Sequence, residues 1–267
     1  MISQKTAPEF AQADQLTQSE RLFAARAAQP RPAPLRARNE PAYVLAAWPW
    51  KETSLIAEIL TPHYGRVSVT VRGAKRPGTK FRGLINAFVP LVVNFSGAGE
   101  VKNLTDAKWL GGLAPIAPQS LVSAFYVTEL VLKLTVREDP SQELFAAYAQ
   151  ALTELSHEQG IGLEAVLRRF EVKLLRALGW GTFLADEKEA FDTRAWVVRE
   201  GEIRAIESAG PEQGEISPAV VRAIAACDFN DAGIVRAARP VLRSIISYYV
   251  GDKGLQTRST MARWAML

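Results

Sequence analysis

The segment Gly73-Ala74-Lys75-Arg76-Pro77-Gly78-Thr79-Lys80 has the glycine spacing of a loop that cradles nucleotide phosphates. Its ending is wrong for that chemistry. A phosphate-binding loop needs Lys followed by Ser or Thr on the first turn of a helix, with the hydroxyl on the metal. Here Thr precedes Lys, and a strand-like run follows from Pro90. Other reactive side chains are scarce. His63 and His157 are the only histidines and fall in different predicted domains, so no Ser-His-Asp or Cys-His site assembles without coincidence. Cys227, the single cysteine, lies in an Ala-rich predicted helix and reads as a small buried hydrophobe. The many carboxylates form no paired motif of the metal-dependent nuclease kind. These residues give no reason to expect an enzyme, and they point to no cofactor and no metal.

Charge placement is more informative. The net charge is only +4, yet no acidic residue occurs from Ile59 to Gly99, a window that holds Arg66, Arg72, Lys75, Arg76, Lys80 and Arg82. A face kept merely soluble mixes both signs. A cluster of one sign suits a polyanion, because each neutralised phosphate releases condensed counterions. These six residues are therefore the predicted phosphate contacts, on a loop whose glycines leave it free to adapt. Interleaved aromatics could stack on unpaired bases. Tyr64 and Phe81, in predicted loops, are the candidates for exposure; Phe88 reads as core, and the sequence leaves Trp48 and Trp50 open between the two. Residues 138–215 reverse the sign, with sixteen acids against eight bases, and residues 232–267 return to six bases against one acid. Of the late bases, Arg236, Arg239, Arg243, Lys253, Arg258 and Arg263 either extend the nucleic-acid surface or pair with the acidic middle.

The elements that must position these residues follow from periodicity. At 267 residues, 48% hydrophobic and 22% charged, the chain can bury one thick core or several thin ones. Residues 1–39 are predicted to be a flexible basic extension, since Pro30 to Pro34 cannot form a helix interior. Residues 40–113 alternate short β-type runs (Tyr43–Trp48, Ser54–Leu60, Val67–Val71, Val89–Phe95, Glu100–Asp106) with turn signals, which suits a small barrel of OB or SH3-like type. Residues 114–181 change to helical spacing: one helix through Leu121, Phe125 and Leu132, a second opened by Pro140, and a third from Leu163 to Leu178 ended by Gly179. A hairpin is predicted at 193–208 within a region spanning 182–214, and helices resume over 215–267 to pack on the central domain. Apolar runs are too short for a membrane span, and Met1 to Gln29 lacks a signal peptide's apolar core, so the chain reads as soluble and not secreted.

Several stretches in order resemble the bacterial recombination mediator family RecO. Tyr43-Val44-Leu45 with Trp50-Lys51-Glu52-Thr53-Ser54-Leu55 is similar to the family's opening strand and turn, and Thr61 to Val67 with Arg72-Gly73-Ala74-Lys75-Arg76 to its next segment. Phe125 to Leu130, Glu143 to Tyr148, and above all Leu167-Arg168-Arg169-Phe170-Glu171 running on to Leu178-Gly179-Trp180-Gly181 resemble its helical signatures. Tyr249 to Arg258 resembles its C-terminal motif. The resemblance implies an α+β protein: an N-terminal OB-fold β-barrel, then a helical-bundle domain with a small β-hairpin and C-terminal helices. It further implies binding of single- and double-stranded DNA, annealing of strands coated with single-stranded DNA-binding protein (SSB), and loading of RecA together with RecR, in the cytoplasm and associated with the nucleoid. The acidic SSB tail ends in an aromatic residue. By resemblance its receptor lies on the third helix, with Arg168 leading, Arg169 and Lys173 helping, and apolar walls from the first helix. Many family members carry a four-cysteine zinc site where Thr182 to Gln213 here has no cysteine, so zinc is not expected. Two other functions fit the residues: an RNA-binding barrel, and a protein-interaction adaptor in which the basic loop only assists.

Overall fold

The computed structural model describes residues 35–112, 114–180, 195–206, 214–252 and 254–257. Five strands come first: β1 (Leu35–Trp50), β2 (Ser54–Thr61), β3 (Gly65–Val71), β4 (Pro90–Gly97) and β5 (Val101–Trp109). They close into a barrel of order β1-β2-β3-β5-β4, in which β4 pairs back with β1 and β3 pairs in parallel with β5. That parallel closure gives the OB type and resolves the choice left between OB and SH3-like barrels. The interior is filled by Val44, Ala57, Ile59, Val67, Val69, Leu91, Val93 and Phe95, at alternate strand positions as a one-sided buried sheet requires. β1 starts at Leu35, so within residues 35–39, read from sequence as the end of a flexible arm, Leu35–Ala37 instead pair with Phe95–Gly97 of β4 and 38–39 form an irregularity before Glu40 rejoins it. Residues 1–34 lie outside the described residues.

Helices follow. In α1 (Pro118–Leu134) proline occupies the first turn, where its missing N–H costs nothing. The second helix, α2 (Gln142–Leu155), is opened by Ser141, whose hydroxyl accepts from the Leu144 N–H, and not by Pro140. Helix α3 (Ile161–Ala177) ends as expected at Gly179. Its φ of +77° lets Gly179 N–H bond Arg176 O and Trp180 N–H bond Leu175 O. The hairpin β6 (Ala195–Arg199) and β7 (Glu202–Ile206) turns through Glu200 and Gly201. Trp196 and Ile203 of that hairpin are buried in the bundle core, so packing anchors it. Helices α4 (Pro218–Ala226) and α5 (Ala232–Val250) complete the bundle, capped by Ser217 and Asp231. Cys227 is not inside a helix as read from sequence: it is the C-cap of α4, in left-handed conformation at φ +54°.

Barrel and bundle share one core. Leu45, Leu60 and Phe88 from the barrel side belong to the same buried cluster as Ala124, Val127 and Tyr148 of the helices. Tyr43 packs against the rings of Phe145 and Tyr148, and Phe88 against Phe125. Beyond α1 the chain returns along β3, where Arg137 forms a parallel bridge with Arg66.

Candidate nucleic-acid interface

The basic residues of the acid-free window do not share one environment. Arg72, Lys75, Arg76 and Arg82 are exposed and make no ion pair among the described residues. Lys80 is also exposed, but its Nζ donates to Thr105 O and Asp106 Oδ1, both at 2.8 Å, which offsets part of its charge. Asp106 is held below the usual carboxylate range chiefly by that hydrogen bond, helped by the charges of Lys80 and Lys108. Arg66 corrects the prediction. Its side chain is 12% exposed and faces Glu58, with Nη1 3.0 Å from the carboxylate, while Nε and Nη2 donate to Thr135. It ties β3 to the end of α1 and presents no free charge outward.

The loop that carries the free cations is built, not slack. Arg76 N–H bonds Gly73 O, Thr79 N–H bonds Arg76 O, Arg82 N–H bonds Thr79 O and Leu84 N–H bonds Phe81 O, a succession of tight turns. Phe81 and Ile85 anchor it in the barrel core at 7% and 6% exposure. The expectation of Phe81 as an exposed stacking residue is thus overturned: its ring closes the end of the barrel interior. Tyr64 is half-buried, edge-on to Phe95 at 5.4 Å, with its hydroxyl donating to Arg36 O. The Phe81 ring offers no free face, and Tyr64 keeps only part of its surface in solvent. Among the described residues of the barrel, the exposed aromatics are Trp48 and Trp50 beside the β1–β2 turn and Trp109 at the end of β5; Phe125 and Tyr248 are exposed on the helices. The pattern Trp-Pro-Trp before a Lys-Glu-Thr turn was the available signal, since period two puts both indoles on one face.

On α3, Arg168 is buried and pairs with Glu171 at 2.7 Å, an oxygen that also accepts from Tyr126. Its Nε has no hydrogen-bond partner among the described residues. Arg169 pairs with Glu154 of α2 at 2.8 Å, and Lys173 donates to Gln150. Arg169 borders a recess of about 270 Å³ between α3 and the start of α5, lined by the apolar Ile161, Ala165, Phe229 and Val235 and by the polar Glu158 and Asn230. The walls of this recess come from α3, α5 and Phe229. On α5, Arg236, Arg239 and Arg243 are exposed and enter no ion pair among the described residues; Lys253, Arg258 and Arg263 lie outside them. His63 sits in a surface turn with Nδ1 3.0 Å from Glu40. Burial pushes the Cys227 thiol up, against the nearby Arg176, Lys173 and Arg169, which is the wrong direction for a nucleophile. Among the described residues no three metal-ligating side chains come together.

A five-stranded barrel closed by a parallel β3–β5 pair, with unpaired cations gathered on one anchored loop and a helical bundle docked behind, defines an OB-fold protein of the α+β class. Residues 36–113 match the family described as Recombination protein O N terminal, and residues 118–259 the one described as Recombination protein O C terminal. Relatives named DNA repair protein RecO are 37% identical in Aromatoleum aromaticum (85% of this chain, 95% of that protein) and 37% identical in Azoarcus sp. BH72 (85% and 96%). A third, from Dechloromonas aromatica, is 38% identical over 82% of this chain and 93% of its own length. The chain belongs to the RecO family.

Proposed function

We propose that this chain is a recombinational DNA repair mediator without catalytic chemistry of its own. In this reading it binds single- and double-stranded DNA, anneals complementary strands coated with SSB, and acts with RecR to load RecA. The observation that carries it is the set of exposed, unpaired cations Arg72, Lys75, Arg76 and Arg82 on one loop of an OB barrel in a DNA repair family. They neutralise phosphates and let two repelling strands approach. No covalent step is needed, because annealing requires only that charge be screened while bases remain free to sample partners.

The test is anisotropy of labelled single-stranded DNA across a salt series, with Lys75, Arg76 and Arg82 changed together to Ala. Each lost phosphate contact should flatten the log–log salt slope by about 0.7. An unchanged slope would move the search to Arg236, Arg239 and Arg243. For the SSB tail, Arg169 supplies charge at the edge of the recess between α3 and α5, with Lys173 one turn further along α3 and Arg168 buried against Glu171. Arg169→Ala should weaken binding of a tail peptide while leaving DNA affinity unchanged, as read by titration of each ligand separately.

A further inference from the structure

We propose that Trp48 and Trp50 form a stacking platform for unpaired bases, with the strand's phosphates held by Arg72 and Lys75. This rests on the DNA-binding reading above and adds the part of the site that tells a single strand from a duplex.

The register places the two indoles. Ala47 pairs with Ala57 and Pro49 with Leu55, and those two partners pack into the barrel interior. Trp48 opposite Ile56 and Trp50 opposite Ser54 therefore lie on the outer face, about 7 Å apart along the strand. They are 40% and 46% exposed. The same outer row crosses from Ile56 to Thr70 on β3, and Arg72 follows one residue beyond the last pair, Leu55 with Val71. Two strand spacings, about 10 Å, separate the Trp50 row position from Arg72. The start of the basic loop is fixed to the hairpin tip, because Lys75 N–H bonds Thr53 O at 2.9 Å. Lys51 stands exposed at the tip, and Glu52 is the one acid there.

Two indoles left in water on one face are an unsatisfied apolar surface, and the adjoining cations specify what should cover it. The occupant must offer flat π-faces and carry negative charge at regular intervals. A single-stranded nucleic acid does both, whereas a duplex hides its π-faces in the stack. Phe81 cannot serve instead, since its ring is buried in the barrel, and Tyr64 is half-buried against Phe95.

The experiment compares the full-length wild type with Trp48→Ala/Trp50→Ala and Trp48→Phe/Trp50→Phe variants. The probes are oligothymidylate, an abasic strand of equal phosphate number, and a duplex, read by affinity and by quenching of tryptophan fluorescence. The alanine pair should lose about tenfold or more in affinity for oligothymidylate, lose most of the quenching, and keep wild-type affinity for the abasic strand and the duplex. Its salt slope should stay that of wild type, which separates it from the basic-loop variant. The phenylalanine pair should retain most of the binding. An alanine pair that keeps the wild-type preference for base-bearing over abasic strands overturns the proposal. So does a wild type that shows no such preference, a result that stands even if the alanine pair does not fold. A wild type that binds none of the probes overturns the DNA-binding reading itself.

Discussion

Glu58 is 2% exposed and accepts from Arg66, from Arg137 Nη2 at 2.5 Å and from Ser68 Oγ. A carboxylate this deep is tolerable only when its donors are complete. Burial lowers the Arg66 pKa, while the Glu58 charge opposes that fall and keeps the guanidinium engaged. Arg66→Ala leaves Glu58 short of its shared charge and should cost about 3 kcal/mol in urea unfolding. The folded variant should bind single-stranded DNA like wild type, and a flattened salt slope in that variant would return Arg66 to the phosphate surface. Lys75 carries the same charge and should behave oppositely, losing DNA affinity without losing stability. From the sequence the two were indistinguishable. The acid-free window opens at Ile59, one position after Glu58, and only strand register places that carboxylate opposite Ser68 and beside Arg66. Counting charge along the chain cannot see across a sheet.

The strands and helices themselves were legible, because each buries one face and so keeps its period. What periodicity missed is where non-periodic segments attach. The basic loop read as mobile for its glycines, yet Phe81 and Ile85 pin it, and no local pattern tells an anchoring Phe from a stacking one. The segment after α5 is a second case. Glu129 on α1 accepts from the backbone of Gln256 and Thr257 at 2.7 and 2.9 Å and from the Thr257 hydroxyl at 2.7 Å, and Leu255 is buried beside them. Two stretches that resemble family motifs, 126 or more positions apart, thus meet as one joint. Burial acts to raise the Glu129 pKa, but the Thr257 and Gln256 hydrogen bonds and Lys133 outweigh it and bring it below the ordinary glutamate value. A depressed folded-state pKa gives stability that is present above the unfolded value and lost as pH falls through the folded one. Hydrogen-exchange protection at Gln256 and Thr257, taken relative to unstructured chain at the same pH, should therefore fall as the pH drops below the ordinary glutamate range. In Glu129→Gln that protection should be weak already at pH 7, with little further loss on acidification; protection that is unaffected by the substitution would mean that Leu255 alone holds the segment.

At the scale of the whole molecule the question is whether barrel and bundle fold as one unit, as their shared core requires. Their junction is also polar. Arg137 reaches Glu58, Lys102 pairs with Glu138 at 2.5 Å, and Glu138 N–H bonds Arg66 O, so the segment after α1 is laced to β3 and β5. Gly65 is where the two backbones come nearest. Its φ is +66°, and a Cβ there would lie 2.2 Å from Asp139 O. Backbone cannot yield as a flexible side chain can, so Gly65→Ala must either part the segment from β3 or distort the barrel. Gly83 provides the control, since its φ of +75° imposes the same conformational penalty but a Cβ there would meet open space. Gly83→Ala should cost about 1 kcal/mol, while Gly65→Ala should cost on the order of 3 kcal/mol or more by adding overpacking to strain. If the junction couples the domains, Gly65→Ala should lower the midpoint of barrel and bundle together, with near-UV and far-UV signals coincident in thermal unfolding. Separate transitions, with the bundle left at its wild-type midpoint, would show that the buried contacts of Leu45, Leu60 and Phe88 do not carry cooperativity across the junction.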